Sequence, residues 1–152
     1  EGAGMLIMER RETAVKRGAR VYGRLSSGVI TSGSAAIGKY EIDMKHLGRA
    51  VLDALEKADM APSDIHYFNV SANFCKEMDQ GEYKQLTEIF GPAITVTPLK
   101  YLMGEFGGAG VIRAAASLLS LYYQQPLPVL EIKTLKEKVK DKSLRQTGIQ
   151  IG

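Results

Sequence analysis

Hydrophobic positions along this chain follow two rhythms, one near four residues and one of short apolar runs. Leu47, Val51 and Leu55 recur every four residues with Ala50, Ala54 and Ala58 beside them. That spacing predicts an amphipathic helix to about Ala58, which Asp43 can cap. Residues 4–9 (G-M-L-I-M-E) are a continuous apolar run ending in charge and predict a buried strand. Residues 20–26 alternate polar and apolar, as a half-exposed strand does. Between them, residues 10–17 predict a charged surface helix with Ala14 and Val15 facing inward and Gly18 as its stop. Residues 28–40 are rich in Gly, Ser and Ala without period and predict a loop.

Further on, residues 61–64 form a turn, and residues 65–70 (I-H-Y-F-N-V) predict a strand. A polar loop, 71–78, leads to a helix over 80–90. Asp79 and Glu82 resemble its capping box, and Gly91-Pro92 is its stop. A short strand over 94–97 enters the glycine-rich stretch 98–110, and a helix from about Gly110 to Tyr123 leaves it. This helix is apolar nearly all round and predicts a core element covered on both sides. After a turn at 124–128, the lysine-rich run 133–142 reads as a solvated segment and 144–151 as a last strand. Strands alternating with helices argue an α/β fold with a largely parallel sheet.

The stretch 97–110 (T-P-L-K-Y-L-M-G-E-F-G-G-A-G) organises the chain. Gly104, Gly107, Gly108 and Gly110 permit close backbone approach and positive φ. Strand, glycine turn and helix together place N–H groups over the C-terminal edge of a sheet, where open α/β folds bind ligands. Its only charges are Lys100 and Glu105. A tight strand–helix turn with a solvated lysine explains the same residues, because glycine-rich turns are a weak signal.

Composition narrows the class. At 152 residues the chain is of single-domain size, and 45% hydrophobic with 24% charged residues is ordinary for a globular protein. No apolar run approaches a membrane span, and residues 1–5 lack the pattern of a signal peptide, so no membrane association and a cytoplasmic location are expected. The beginning reads as a chain cut from something longer. A single cysteine, Cys75, excludes an internal disulfide and suits a reducing compartment. A net charge of +3 is too small to argue nucleic-acid binding. His46 and His66 lie on different elements without Cys or Asp at ligand spacing, so neither a metal nor a cofactor is expected. Cys75 as a nucleophile with His66 as its base competes with a packed, idle thiol, and the position of His66, nine residues back at the start of the strand, favours the thiol.

The residues also carry a resemblance. Asn69-Val70-Ser71-Ala72-Asn73-Phe74-Cys75, followed by Asp79-x-x-Glu82, resembles the β-ketoacyl synthase pattern N-A-H-G-T-x-T with its later D-x-x-E. Lys100 with Gly104-Glu105 resembles that family's K-x-x-x-G-H, followed by a glycine turn and an alanine-rich helix. Residues 1–5 resemble the E-G-A-G strand midway through these enzymes. Apart from about one residue missing in the glycine turn, the spacings agree over almost the whole chain. The resemblance implies the C-terminal half of a thiolase-like fold, layered around a mostly parallel sheet with a buried alanine-rich helix.

Two departures carry the functional expectation. Ser71 stands at the position of the family's first active-site histidine and Glu105 at that of the second, while Lys100, Asp79 and Glu82 remain. The family's histidines donate hydrogen bonds to oxygen that becomes negative during condensation. Ser71 is too short to replace an imidazole, and an ionised Glu105 cannot donate. At ~4 Å and an effective dielectric near 20 it repels an enolate by roughly 4 kcal/mol, about a thousandfold in rate.

Loss of both histidines on a retained scaffold resembles the chain length factor subunit of bacterial type II polyketide synthases. That resemblance implies a non-catalytic, tunnel-shaping partner of an active ketosynthase subunit in a heterodimer, needing its own N-terminal half and working with an acyl carrier protein. An active β-ketoacyl carrier-protein synthase with altered acid/base residues, and a non-enzymatic thioester-binding module, are the alternatives. Arg10, Arg11, Lys16, Arg17 and Arg20 form a basic cluster that suits either a solvated helix face or docking of an acidic carrier.

Overall fold

The computed structural model describes residues 2–72 and 74–125. Five helices and two strands follow one another as α1 (Arg11–Lys16), α2 (Lys45–Ala58), β1 (Tyr67–Asn69), α3 (Lys76–Phe90), β2 (Thr95–Thr97), α4 (Lys100–Met103) and α5 (Ala109–Tyr123), with a 3-10 turn at Pro62–Asp64 before β1. The strands pair in parallel, Tyr67 opposite Thr95 and Asn69 opposite Thr97. Parallel pairing requires a crossover, and α3 supplies it. Both strands therefore end on the same edge of the sheet.

The four-residue rhythm of α2 buries Val51 and Leu55 against Val70, Ala72, Leu86, Ile94 and Val96, with Leu47 packed beside them. Leu86 of α3 is fully buried at the centre. Phe68 and Phe90 extend this core, their ring centroids 6.1 Å apart. Helices α2 and α3 approach through glycine. A Cβ on Gly81 would lie 1.9 Å from the carbonyl oxygen of Ile42, and one on Gly48 would lie 2.3 Å from the Gln85 amide oxygen. No side chain larger than hydrogen fits at Gly81 without moving the backbone of the 42–44 segment.

Several sequence expectations need correction. Residues 4–9 and 20–26 form neither strand nor helix among the described residues. An apolar run is a strand only where a neighbour takes its N–H and C=O groups; here these segments lie against α5 instead. Gly2 and Gly4 abut Phe106, Val111 and Ile112, and Gly23 abuts Leu118 and Leu121. Tyr22 packs on Tyr122 at 4.9 Å. Val15 faces solvent, because a six-residue helix turns only one residue, Ala14, inward.

Helix α5 buries only Ala109 fully, and Leu119, Leu121 and Tyr123 are exposed, so the expected cover on two sides is present on one. Helix α3 begins at Lys76, earlier than the D-x-x-E pattern suggests, so Asp79 lies in its first turn and is not its cap. Asp43 also is not the cap of α2; it accepts from the Lys45 N–H while Met44 holds the cap position. Of the turn expected at 124–128 only Gln124 and Gln125 are described, with Gln124 capping α5 at φ 51°, and the lysine-rich run and final strand lie outside the described residues.

Candidate functional site at the sheet edge

The two strand ends open into the two segments that the motifs singled out. After β1, Val70 donates its N–H to the Thr97 carbonyl, which carries the parallel pairing one step further. The chain then turns through Ala72, at φ 45°, and Phe74, at φ 61°. Both are non-glycine residues in the left-handed region, where an L side chain costs roughly 1 kcal/mol or more. Ala72 occupies the place of the glycine in the resembled motif, and its backbone shows why glycine suits that place.

That loop is gripped from two sides. The Glu82 carboxylate, 4% exposed, accepts from the N–H of Ser71 at 2.8 Å and of Ala72 at 3.1 Å. D-x-x-E is thus a tether from α3 to the preceding loop and not a cap of its own helix. From the other side, Arg113 Nη2 of α5 donates to the carbonyls of Asn69 (3.0 Å) and Val70 (2.9 Å). Asn69 Nδ2 donates in return to the Ser117 hydroxyl at 3.0 Å. Sequence reasoning missed Arg113. Its signal was available, since it is the one charge in an otherwise apolar helix.

After β2, α4 ends at Gly104, whose φ of 77° needs glycine. Gly108 sits close to the Gly2 carbonyl, whereas Gly107 and Gly110 have open space around their Cα atoms. Lys100, with a side chain only 10% exposed, forms an ion pair with Glu105, which is 61% exposed. The two loops meet through Phe74 and Tyr101, ring centroids 4.3 Å apart. Burial raises the Tyr101 phenol above its usual range, and the nearby Asp79 and Glu82 charges add to the rise.

Ser71, Lys100 and Glu105 therefore share one sheet edge. Ser71 offers a short hydroxyl there, and Glu105 offers a carboxylate already engaged by a cation. His66 precedes β1 and lies at the opposite end of the strand from Cys75, which precedes α3, so the two do not form a base–nucleophile pair. Among the described residues no group of His, Cys, Asp or Glu could hold a metal ion, and no helix is long and apolar enough to cross a membrane. The basic cluster on and around α1 is exposed, with Arg17 paired to Glu9.

Residues 22–133 match the beta-ketoacyl synthase C-terminal domain. The chain belongs to the beta-ketoacyl synthase family. It is 34% identical over 125 residues to the tetracenomycin polyketide synthase ketoacyl synthase beta subunit of Streptomyces glaucescens, covering 80% of this chain and 30% of that protein. To the chloroplastic 3-oxoacyl-[acyl-carrier-protein] synthase II of Arabidopsis thaliana it is 31% identical over 124 residues, covering 80% of this chain and 23% of the relative. It spans about a third or less of such relatives' length.

One chain of a solved complex, a type II polyketide synthase acyl-carrier protein with its ketosynthase bound to the hexaketide, shares the fold. The TM-score is 0.66 at 22% identity, over 79% of this chain and 33% of that one. The parallel strand pair and its helices agree with the α/β, thiolase-like architecture expected of a beta-ketoacyl synthase C-terminal domain.

Proposed function

We propose that this beta-ketoacyl synthase region belongs to a non-catalytic subunit, like a chain length factor, of a type II polyketide or fatty-acid-like synthase. In this reading it pairs with an active ketosynthase and shapes the tunnel that holds the growing acyl chain. One observation carries the proposal. At the edge where the family motifs converge, position 71 is serine and position 105 is a glutamate paired with Lys100. A neutral imidazole pair would donate to a developing enolate; a short hydroxyl and an anion do not replace it. The likeness to a protein named as a ketoacyl synthase beta subunit supports the reading.

The exposed flank of α5, the apolar segment 4–9 and the alternating segment 20–26 are surfaces that the rest of the protein would cover, and through it the ketosynthase subunit. The basic cluster of Arg10, Arg11, Lys16, Arg17 and Arg20 is the proposed docking face for an acidic acyl carrier protein.

The test is reconstitution of the full-length protein with a ketosynthase subunit and malonyl-loaded carrier. The proposal expects condensation only when the ketosynthase is present, and no condensation by this protein alone. Turnover by the protein alone would instead establish an active synthase with altered acid/base residues. If the full-length protein binds an acyl thioester but neither assembles with a ketosynthase nor supports turnover, it is a thioester-binding module.

A further inference from the structure

We propose that Arg113 is a positioning residue that sets the loop carrying Ser71, acting together with Glu82. Along the four residues from Asn69 to Ala72, each contributes one backbone polar group held by a side chain from one of two different helices. Arg113 of α5 takes the carbonyls of Asn69 and Val70. Glu82 of α3 takes the N–H groups of Ser71 and Ala72. A cation thus holds the acceptors and an anion holds the donors of adjoining peptides, each a charge-assisted bond. The Arg113 end is closed on itself: Asn69 Nδ2 reaches the Ser117 hydroxyl, and that hydroxyl donates to the Arg113 carbonyl at 3.0 Å.

The geometry explains how Ala72 is kept at φ 45° without glycine. A residue in a sparsely populated region persists where the surroundings over-determine it. Pulled from both sides, the chain turns directly after Val70, and Ser71 is delivered to the sheet edge at a fixed height. This proposal rests on the reading that this edge lines an acyl-chain tunnel. It adds the residue that sets the depth of that wall.

The experiment uses the full-length protein assembled with its ketosynthase and compares wild type with Arg113→Met and Arg113→Lys. Two quantities are read: amide hydrogen exchange at Ser71 and Ala72, and the length distribution of products per assembled complex. Arg113→Met is expected to speed exchange at these amides by about tenfold, as loss of charged hydrogen bonds frees a local segment. It is also expected to shift the product lengths. Arg113→Lys, which keeps a cationic donor, is expected to recover most of both.

Unchanged exchange in Arg113→Met overturns the proposal. Faster exchange with wild-type product lengths also overturns it, because the grip is then structural and does not set the site. If Arg113→Met fails to fold, Ser117→Ala removes one partner of Asn69 and is expected to give the same two changes at smaller size; no change in either overturns the proposal. If wild type does not assemble with a ketosynthase, the functional reading fails. The proposed positioning of Ser71 at a tunnel wall then falls with it, while the exchange measurement separately reports whether the grip exists.

Discussion

The loops after β1 and β2 sit side by side and are stabilised in opposite ways. The first turns through two left-handed non-glycine residues and is pinned by a nearly buried carboxylate and a guanidinium, both bonded to backbone. The second uses Gly104 for its turn, and an ion pair joins its mostly buried Lys100 to an exposed Glu105. In the first loop the charges are part of the backbone's hydrogen-bond accounting. In the second the exposed carboxylate can be removed and water can take its place. The difference separates a charge bonded to buried backbone from one held at the surface, where the proposed function places a lost catalytic histidine.

The largest test of this contrast is Glu82→Ala. It strands two N–H groups beneath a buried surface, and we expect a loss of about 3 kcal/mol. Chemical denaturation should show a lower midpoint with an unchanged slope. A loss below about 1 kcal/mol would mean that water satisfies those groups and the two loops do not differ.

Next in size is the Lys100–Glu105 pair. Because Glu105 is largely exposed, solvent screening limits the effect of Glu105→Gln to about 1 kcal/mol or less. Lys100→Met removes a cation whose stem is already buried and replaces it with a side chain of similar length, so its cost is expected to stay near that value. Equal, large losses in both variants would show a pair as essential as the Glu82 tether.

The smallest effect concerns pH. The native Tyr101 phenol holds its proton more tightly than an unfolded tyrosine does, chiefly through burial. Its contribution to stability is therefore present below the ordinary tyrosine range, near pH ~10, and is lost as pH rises from there through the raised native value. An ultraviolet titration of wild type against Tyr101→Phe should show a late-ionising phenol missing from the variant. A phenol that titrates at the ordinary value would remove Tyr101 from the join between the loops.

Much of this molecule was legible beforehand. The spacing of Leu47, Val51 and Leu55 located α2, and the β-branched and aromatic run ending at Val70 located β1, because local pattern and burial agree there. The apolar run at 4–9 and the alternation at 20–26 misled, since a strand depends on a neighbour that its own residues do not encode. D-x-x-E misled for a related reason: the carboxylate of Glu82 reaches across to Ser71 and Ala72, a contact no local spacing specifies. Ser71, Lys100 and Glu105 were placed by motif, and the parallel pair brings them to one edge. Arg113 acts over a separation of more than forty residues, and only its isolation in an apolar helix hinted at it.

The central claim is that Glu105 stands at a catalytic position without performing catalysis. Its most direct test is turnover per assembled complex, measured with malonyl-loaded carrier, for wild type and Glu105→Gln in the full-length protein paired with a ketosynthase. The account predicts the same turnover per assembled complex in both, with any loss of yield explained by the fraction folded. If Glu105→Gln abolishes turnover while melting temperature and assembly stay fixed, Glu105 is catalytic and the account is wrong.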